Sequence, residues 1–192
     1  MTECRKNCAC NTGRRSLLGA GLALAPWLLR PASADDAAAM PPQPGDRFAF
    51  LTGAKTGQVV KAGDLPLGGP QAQAYPIDIK SGVVRDQSRL NLVILARFDP
   101  AALSAETRAR AADGVVAYSG VCTHQGCPVN MWASSSNVLY CSCHGSMYDP
   151  KDAAAVVGGP APRPLPSLAL AMADGVPYVT AGFATRVGPT PH

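Results

Sequence analysis

Two short stretches constrain this chain more than anything else in it: CTHQGC at residues 122–127 and CSCHGSMY at residues 141–148. They hold four of its seven cysteines and two of its three histidines. In the first, Cys122 and His124 stand two positions apart; in the second, Cys141 and His144 stand three apart. Each pair can converge from a single loop onto one centre. Thirteen residues separate Cys127 from Cys141, enough for a hairpin that brings the loops face to face. Two thiolates and two imidazoles then meet at one site.

The rest of the chain says what carries those loops. At 192 residues there is room for one domain of ordinary size with a real core. With 19 Gly and 18 Pro, short strands joined by turns are expected rather than long helices. Strand character is seen at residues 47–51, 58–61, 73–79 and 90–98. The last, LNLVILARF, is almost continuously apolar and reads as a buried central strand. Asp99 and Pro100 suit the cap and first position of one helix, with Gly114 as its end. GVVAYSGV then leads into the first Cys/His stretch, and two late strands fall near residues 168–172 and 176–180. Residues 37–44 are rich in Ala and Pro and read as a linker, and the tail VGPTPH is expected to be loose.

The N-terminus reads as a leader. A charged segment ending in Arg14 and Arg15 precedes an apolar run over residues 17–29, then Ala32-Ser33-Ala34, which suits a signal peptidase and leaves Asp35 first. The paired arginines resemble a twin-arginine export signal of bacteria. The competing reading is a permanent anchor, but the run is thirteen residues long and Pro26 interrupts it, so cleavage is preferred. Cys4, Cys8 and Cys10 lack the paired spacing of a zinc site. The formal charge of +4 comes from the leader: five basic residues against Glu3 leave 17 − 5 = 12 basic and 13 − 1 = 12 acidic residues from Asp35 onward. No basic stripe remains for nucleic acid.

Zinc accepts two Cys and two His, but its usual layout is a Cys pair followed by a His pair. One Cys and one His from each loop suits a [2Fe–2S] centre with two Cys on one iron and two His on the other. CTHQGC…CSCHGS closely resembles the signature of the Rieske iron–sulfur family, C-x-H-x-G-C…C-x-C-H-x-S, and the likeness runs more loosely over residues 63–180. The resemblance implies an all-β fold: a Rieske-type antiparallel β sandwich with an inserted small cluster-binding subdomain and one short helix. With the leader read as a signal peptide at 1–34 and a linker and extension at 35–62, the resemblance gives a Rieske domain at 63–185 with its cluster-binding part at about 115–166. It implies one [2Fe–2S] cluster, with Cys122 and Cys141 on the inner iron and His124 and His144 on the outer one. Cys127 and Cys143 correspond to the family's disulfide, which an exported protein can keep; idle thiols or a zinc site are the alternatives for that pair. Ser146 and Tyr148 match hydroxyls that donate to cluster sulfurs and raise the potential, unless they are ordinary loop residues. Gly159, Pro160, Ala161 and Pro162 match a Pro-rich loop that covers one side of the cluster.

What the resemblance implies about function is one-electron transfer in the periplasm, with no substrate site of its own. The chain is expected to be a soluble carrier or the small subunit of an oxidoreductase. The alternative is the Rieske subunit of a membrane quinol:cytochrome c reductase, against which stands polar Gln125, where quinol-oxidising members commonly have Leu. The implied partner is a redox protein: a cytochrome c, a quinol-oxidising complex or a periplasmic large subunit. Membrane association is expected only if the leader is retained. A Rieske oxygenase is excluded, since His192 alone remains for a second iron. A structural zinc module is the bland alternative.

Overall fold

A computed structural model describes residues 34–190. Most of the expected leader, with Cys4, Cys8 and Cys10, lies outside these residues, as does His192.

Among the described residues, ten strands form two antiparallel sheets. β1 (Arg47–Phe50), β2 (Ala72–Ile77), β3 (Val93–Arg97), β4 (Val115–Ser119), β9 (Ser167–Ala173) and β10 (Val176–Ala181) make a six-stranded sheet in the order β1-β2-β3-β4-β9-β10. Its edges approach each other: the Gly45 N–H donates to the Val179 carbonyl (2.8 Å), and the Val179 N–H to the Asp46 carbonyl (2.9 Å). The sheet thus curls toward a barrel whose inner walls are the two layers of the expected sandwich. The smaller sheet is a meander of β5 (Met131–Ala133), β6 (Val138–Cys141), β7 (Ser146–Asp149) and β8 (Ala155–Gly158). It lies in the chain between β4 and β9, which are neighbours in the large sheet, with Ala117 opposite Leu168 and Tyr118 opposite Ser167.

The apolar runs are explained by burial on both faces. Successive strand side chains point to opposite sides. Val93 and Leu95 of β3, with Val115 and Ala117 of β4, join the core inside the curled sheet beside Phe48, Leu168 and Val179. Ile94, Ala96 and Phe98, with Val116 and Tyr118, join a second core beneath the small sheet, against Leu139, Tyr148 and Leu165. The Tyr118 hydroxyl donates to the Pro150 carbonyl at 2.8 Å, tying the small sheet to its floor, and burial pushes its pKa well up.

Three expectations are corrected. The helix expected from Asp99 to Gly114 is broken into a 3₁₀ turn, Pro100–Ala102, and a short α helix, Ala105–Arg108. Asp99 does cap, accepting from the Ala101 N–H, but Ser104 caps again, accepting from the Thr107 N–H. A serine that offers its hydroxyl to the backbone in this way restarts the helix rather than continuing it. Gly114 ends no helix: Asp113 and Gly114, at φ of 49° and 80°, form a two-residue hairpin turn between Ala112 and Val115. Asp-Gly is the standard sequence for that turn, in which both residues need positive φ. Second, the stretch read as a linker is docked. It begins as a helix, Ala34–Ala39, and the Arg85 guanidinium donates to the Ala37 carbonyl while the Asn91 amide donates to that of Met40. Third, the described part of the tail, residues 187–190, is not loose, since Gly188 is buried against Val121 and Leu90.

The docked segment is held by a buried ion pair. Arg85 Nε meets Asp46 Oδ2 at 2.5 Å and Nη2 meets Oδ1 at 2.9 Å, with side-chain exposures of 6% and 3%. A forked pair of this kind holds its geometry, and removing one member strands the other charge in the interior. Asp46→Ala is expected to lower the unfolding free energy by about 3–5 kcal/mol in denaturant titration. A loss under about 1 kcal/mol is what an exposed pair would give and would show that the pair is solvated.

Candidate metal centre

The two Cys/His loops share one backbone solution. In the first, the Gly126 N–H donates back to the Cys122 carbonyl at 2.9 Å; in the second, the Gly145 N–H donates back to the Cys141 carbonyl at 3.0 Å. The two glycines have φ of 77° and 78°, the left-handed region that side-chain-bearing residues avoid. Each loop is thus a tight turn hung on a cysteine, with a histidine inside it. β5 and β6 form the hairpin between them, and β6 ends in Cys141. Cys127 and Cys143 are joined in a disulfide across the loops, with Cα atoms 6.5 Å apart.

Cys122 and Cys141 are free thiols buried in the floor. The rings of His124 and His144 meet edge to face with centroids 4.7 Å apart. His124 is half-buried, whereas His144 is exposed. The Sγ atoms of Cys127, Cys141 and Cys143 lie within 4.8 Å of one another, but two of these three are bonded to each other and have no thiolate to give. The donors left over are two thiols and two imidazoles.

Tyr148 is the hub of the buried polar groups. Its hydroxyl lies 3.1 Å from Cys122 Sγ and 3.3 Å from Thr123 Oγ1, and it accepts from the Thr123 N–H at 3.3 Å. Burial raises the Cys122 pKa, but the Tyr148 hydroxyl, the His124 N–H and the Ser146 hydroxyl outweigh it, and the net shift is downward. At Cys141 burial wins, helped by repulsion from a Cys122 thiolate, and the pKa is pushed up. The Tyr148 phenol is itself pushed well up, by burial and by Cys122, so it stays a donor.

Two buried polar atoms at the site lack a hydrogen-bond partner, His124 Nδ1 and Ser146 Oγ. Ser146 is near enough to lower the Cys122 pKa, yet its hydroxyl satisfies bonding geometry with nothing in the protein. Unpaired buried polar groups cost free energy and are rare unless a bound group completes them. Two free thiols, a bare imidazole nitrogen and an orphan hydroxyl are the donor set that a sulfide-bridged iron cluster takes.

The Pro-rich loop abuts the second Cys/His loop. A Cβ at Gly159 would collide with the Gly145 carbonyl and the Ser146 Cα. Ala161 is nearly buried, while Pro160 and Pro162 line a groove of about 310 Å³ together with Thr123, His124, Gln125 and Thr190. Sequence reasoning missed Thr123, whose hydroxyl joins the Tyr148 cluster and donates to the Arg163 carbonyl at 2.7 Å. It also missed Arg89, which donates to the Gly126 carbonyl at 2.9 Å. Neither has a signature of its own; Arg89 reaches the site only through the fold.

The family model for the Rieske [2Fe–2S] domain matches residues 57–169. The cytochrome bc1 complex Rieske iron–sulfur subunit of Streptomyces lividans is 40% identical over 78 residues, which are 40% of this chain and 46% of that protein. A putative respiratory nitrate reductase subunit Rieske of Haloferax mediterranei is 46% identical over 77 residues, 40% of this chain and 34% of that one. The match thus spans less than half the length of these curated relatives. Among solved structures, the soluble domain of Rieske protein II from Sulfolobus acidocaldarius is similar at a TM-score of 0.37 and 24% identity, covering 50% of this chain and 66% of that one.

Two outcomes follow for the cysteines. Blocking thiols in the unfolded, unreduced protein is expected to label Cys122 and Cys141, with the peptides of Cys127 and Cys143 still linked in the mass spectrum. Cys127→Ser is expected to cost about 2–4 kcal/mol of stability in denaturant titration, since the bridge closes a short loop of the unfolded chain. Labelling of all four would remove the bridge.

Proposed function

Because this chain belongs to the Rieske [2Fe–2S] domain family, we propose that it transfers single electrons in the periplasm, as a carrier or as the electron-transfer subunit of a larger oxidoreductase. One observation carries the reading: two free buried thiols and two facing imidazoles stand on twin loops tied by a disulfide. A bound [2Fe–2S] cluster supplies one-electron redox chemistry. In this reading Cys122, Cys141, His124 and His144 would hold the cluster, the two buried thiols as one pair of ligands and the two more accessible imidazoles as the other. The disulfide keeps the loops at one separation. Tyr148 and Ser146 donate toward sulfur, which favours the more negative, reduced state. Pro160, Ala161 and Pro162 keep water from one side. A redox protein is the partner, docking where His144 is exposed.

A second reading has a specific observation behind it. Relatives such as that of Streptomyces lividans carry the name of a cytochrome bc1 subunit, which supports a quinol-oxidising complex as the partner. Gln125 favours the first reading, because a polar side chain beside His124 is ill suited to an apolar quinone pocket. Among the described residues no helix is long and apolar enough to cross a membrane. The mature protein from its host separates the two. A periplasmic species beginning at Asp35 supports the carrier or detachable subunit; a membrane species retaining residues 17–29 supports the quinol reductase.

The cluster is tested by metal and sulfide analysis of purified protein, with about two iron and two acid-labile sulfides expected per chain. A single zinc would overturn the reading. Tyr148→Phe is expected to lower the reduction potential by about 40–90 mV, the equivalent of about 1–2 kcal/mol for one lost bond. An unchanged potential would remove Tyr148 from the tuning role.

A further inference from the structure

The chain does not leave the molecule after β10. The Ala184 N–H donates to the Ser167 carbonyl at 2.9 Å, which turns residues 184–190 back along the protein toward the site. Gly188 is buried, with Val121 and Leu90 side chains in contact distance of where a Cβ would stand. Its carbonyl accepts from the Arg163 guanidinium. Pro189 lies against Gly126 of the first Cys/His loop, and Thr190 lines the groove beside His124 and Gln125.

Arg163 acts at both its ends. Its guanidinium holds the tail, and its own carbonyl accepts from Thr123 Oγ1 at 2.7 Å. Thr123 in turn lies 3.3 Å from the Tyr148 hydroxyl, which touches Cys122 Sγ at 3.1 Å. A continuous line of polar contacts therefore runs from the C-terminal tail, through the Pro-rich loop, to a buried thiol. Nothing else in that loop offers a charged donor: it reads GPAPRPLP, and its prolines have no N–H to bond with.

We propose that residues 184–190 form a strap that clamps the Pro-rich loop onto the first Cys/His loop, with Arg163 as the positioning residue. A loop so poor in backbone donors has little of its own to fix it beyond the Leu165 N–H, which donates to the Ala154 carbonyl at 3.3 Å. The strap supplies the fixing from outside, through one charge-assisted bond and the packing of Gly188 and Pro189. The proposal rests on the cluster reading only for its second readout.

The test compares the full, cluster-loaded protein with Arg163→Gln, Arg163→Lys and a chain ended after Arg186. The first readout is amide hydrogen exchange. Exchange over residues 121–127 and 161–168 is expected to speed up about tenfold in Arg163→Gln and in the shortened chain, as for loss of a bond to a charged group. Exchange in the β3 amides is expected to stay as in the parent, which a general loss of stability would not allow. The second readout is iron release to a strong chelator, expected to be about tenfold faster in the same two proteins. Arg163→Lys, which can still donate to the Gly188 carbonyl, is expected to recover most of both. Parent-like exchange and iron release in Arg163→Gln would overturn the strap, as would equal acceleration throughout β3. If the shortened chain does not fold, the Gln and Lys variants decide. If the parent binds no cluster, the proposed function fails, and hydrogen exchange alone decides the strap.

Discussion

The pairing of β4 with β9 is the constraint on which the site depends. Tyr118 sits opposite Ser167 in that ladder, and the whole small sheet is inserted between them in the chain. The insertion leaves and re-enters the large sheet at one place, so its position is set by a single ladder contact and by what packs beneath it. That floor is the outer face of β3 and β4, with Ile94, Ala96, Val116 and Tyr118. The same strands carry the inner core on their other face. A substitution on either face therefore reaches the loops through the backbone they share, which is a reason to separate local from global effects when the site is probed.

Polarity at the site is arranged almost without charge. Between Asp113 and Asp149 the sequence has no Asp, Glu, Lys or Arg. Hydrogen bonds then carry the electrostatic work near Cys122 and Cys141, in an interior where they are worth more than in water. Cys122 shows it: burial alone would raise the pKa of this thiol, but hydrogen bonds led by that of the Tyr148 hydroxyl bring it down. A formal charge reaches the first loop from elsewhere in the chain, since the Arg89 guanidinium donates to the Gly126 carbonyl; Arg163 meets that loop through its uncharged backbone carbonyl, which accepts from Thr123 Oγ1.

How much of this was legible in the sequence varies with the range of the interaction. The Cys/His spacing is local, so the loops and their hairpin could be read from residues 122–148, while the Cys127–Cys143 pair came only with the family resemblance that those residues carry. The two-faced strand was legible because continuous apolar character has a simple cause, burial on both sides. The helix after Asp99 was misread because two valid caps stand close together, and the second restarts the chain. The Asp113-Gly114 turn was legible in principle, since Asp-Gly is a local signal, but it competed with the reading of Gly114 as a helix stop. The docked segment before β1 and the tail after β10 were not legible. Composition marks them as irregular, and irregular segments are commonly mobile. Their order comes from distant partners, Arg85 and Asn91 in one case and Arg163 in the other.

The tail also explains an asymmetry at the surface of the site. The tail covers the His124 side, where Thr190, Pro160 and Pro162 stand around the ring, while His144 has no comparable cover and is exposed. The two imidazoles are equivalent in residue type but not in access. His144 and Cys143 are exposed, whereas His124 is half-buried, so the second loop is the more open of the two to the redox partner proposed above. That face carries no formal charge from its own loop. In the proposed function, recognition by that loop itself then rests on shape and hydrogen bonding, and any steering has to come from charges that other segments bring to the site, such as the exposed Arg89 at the first loop.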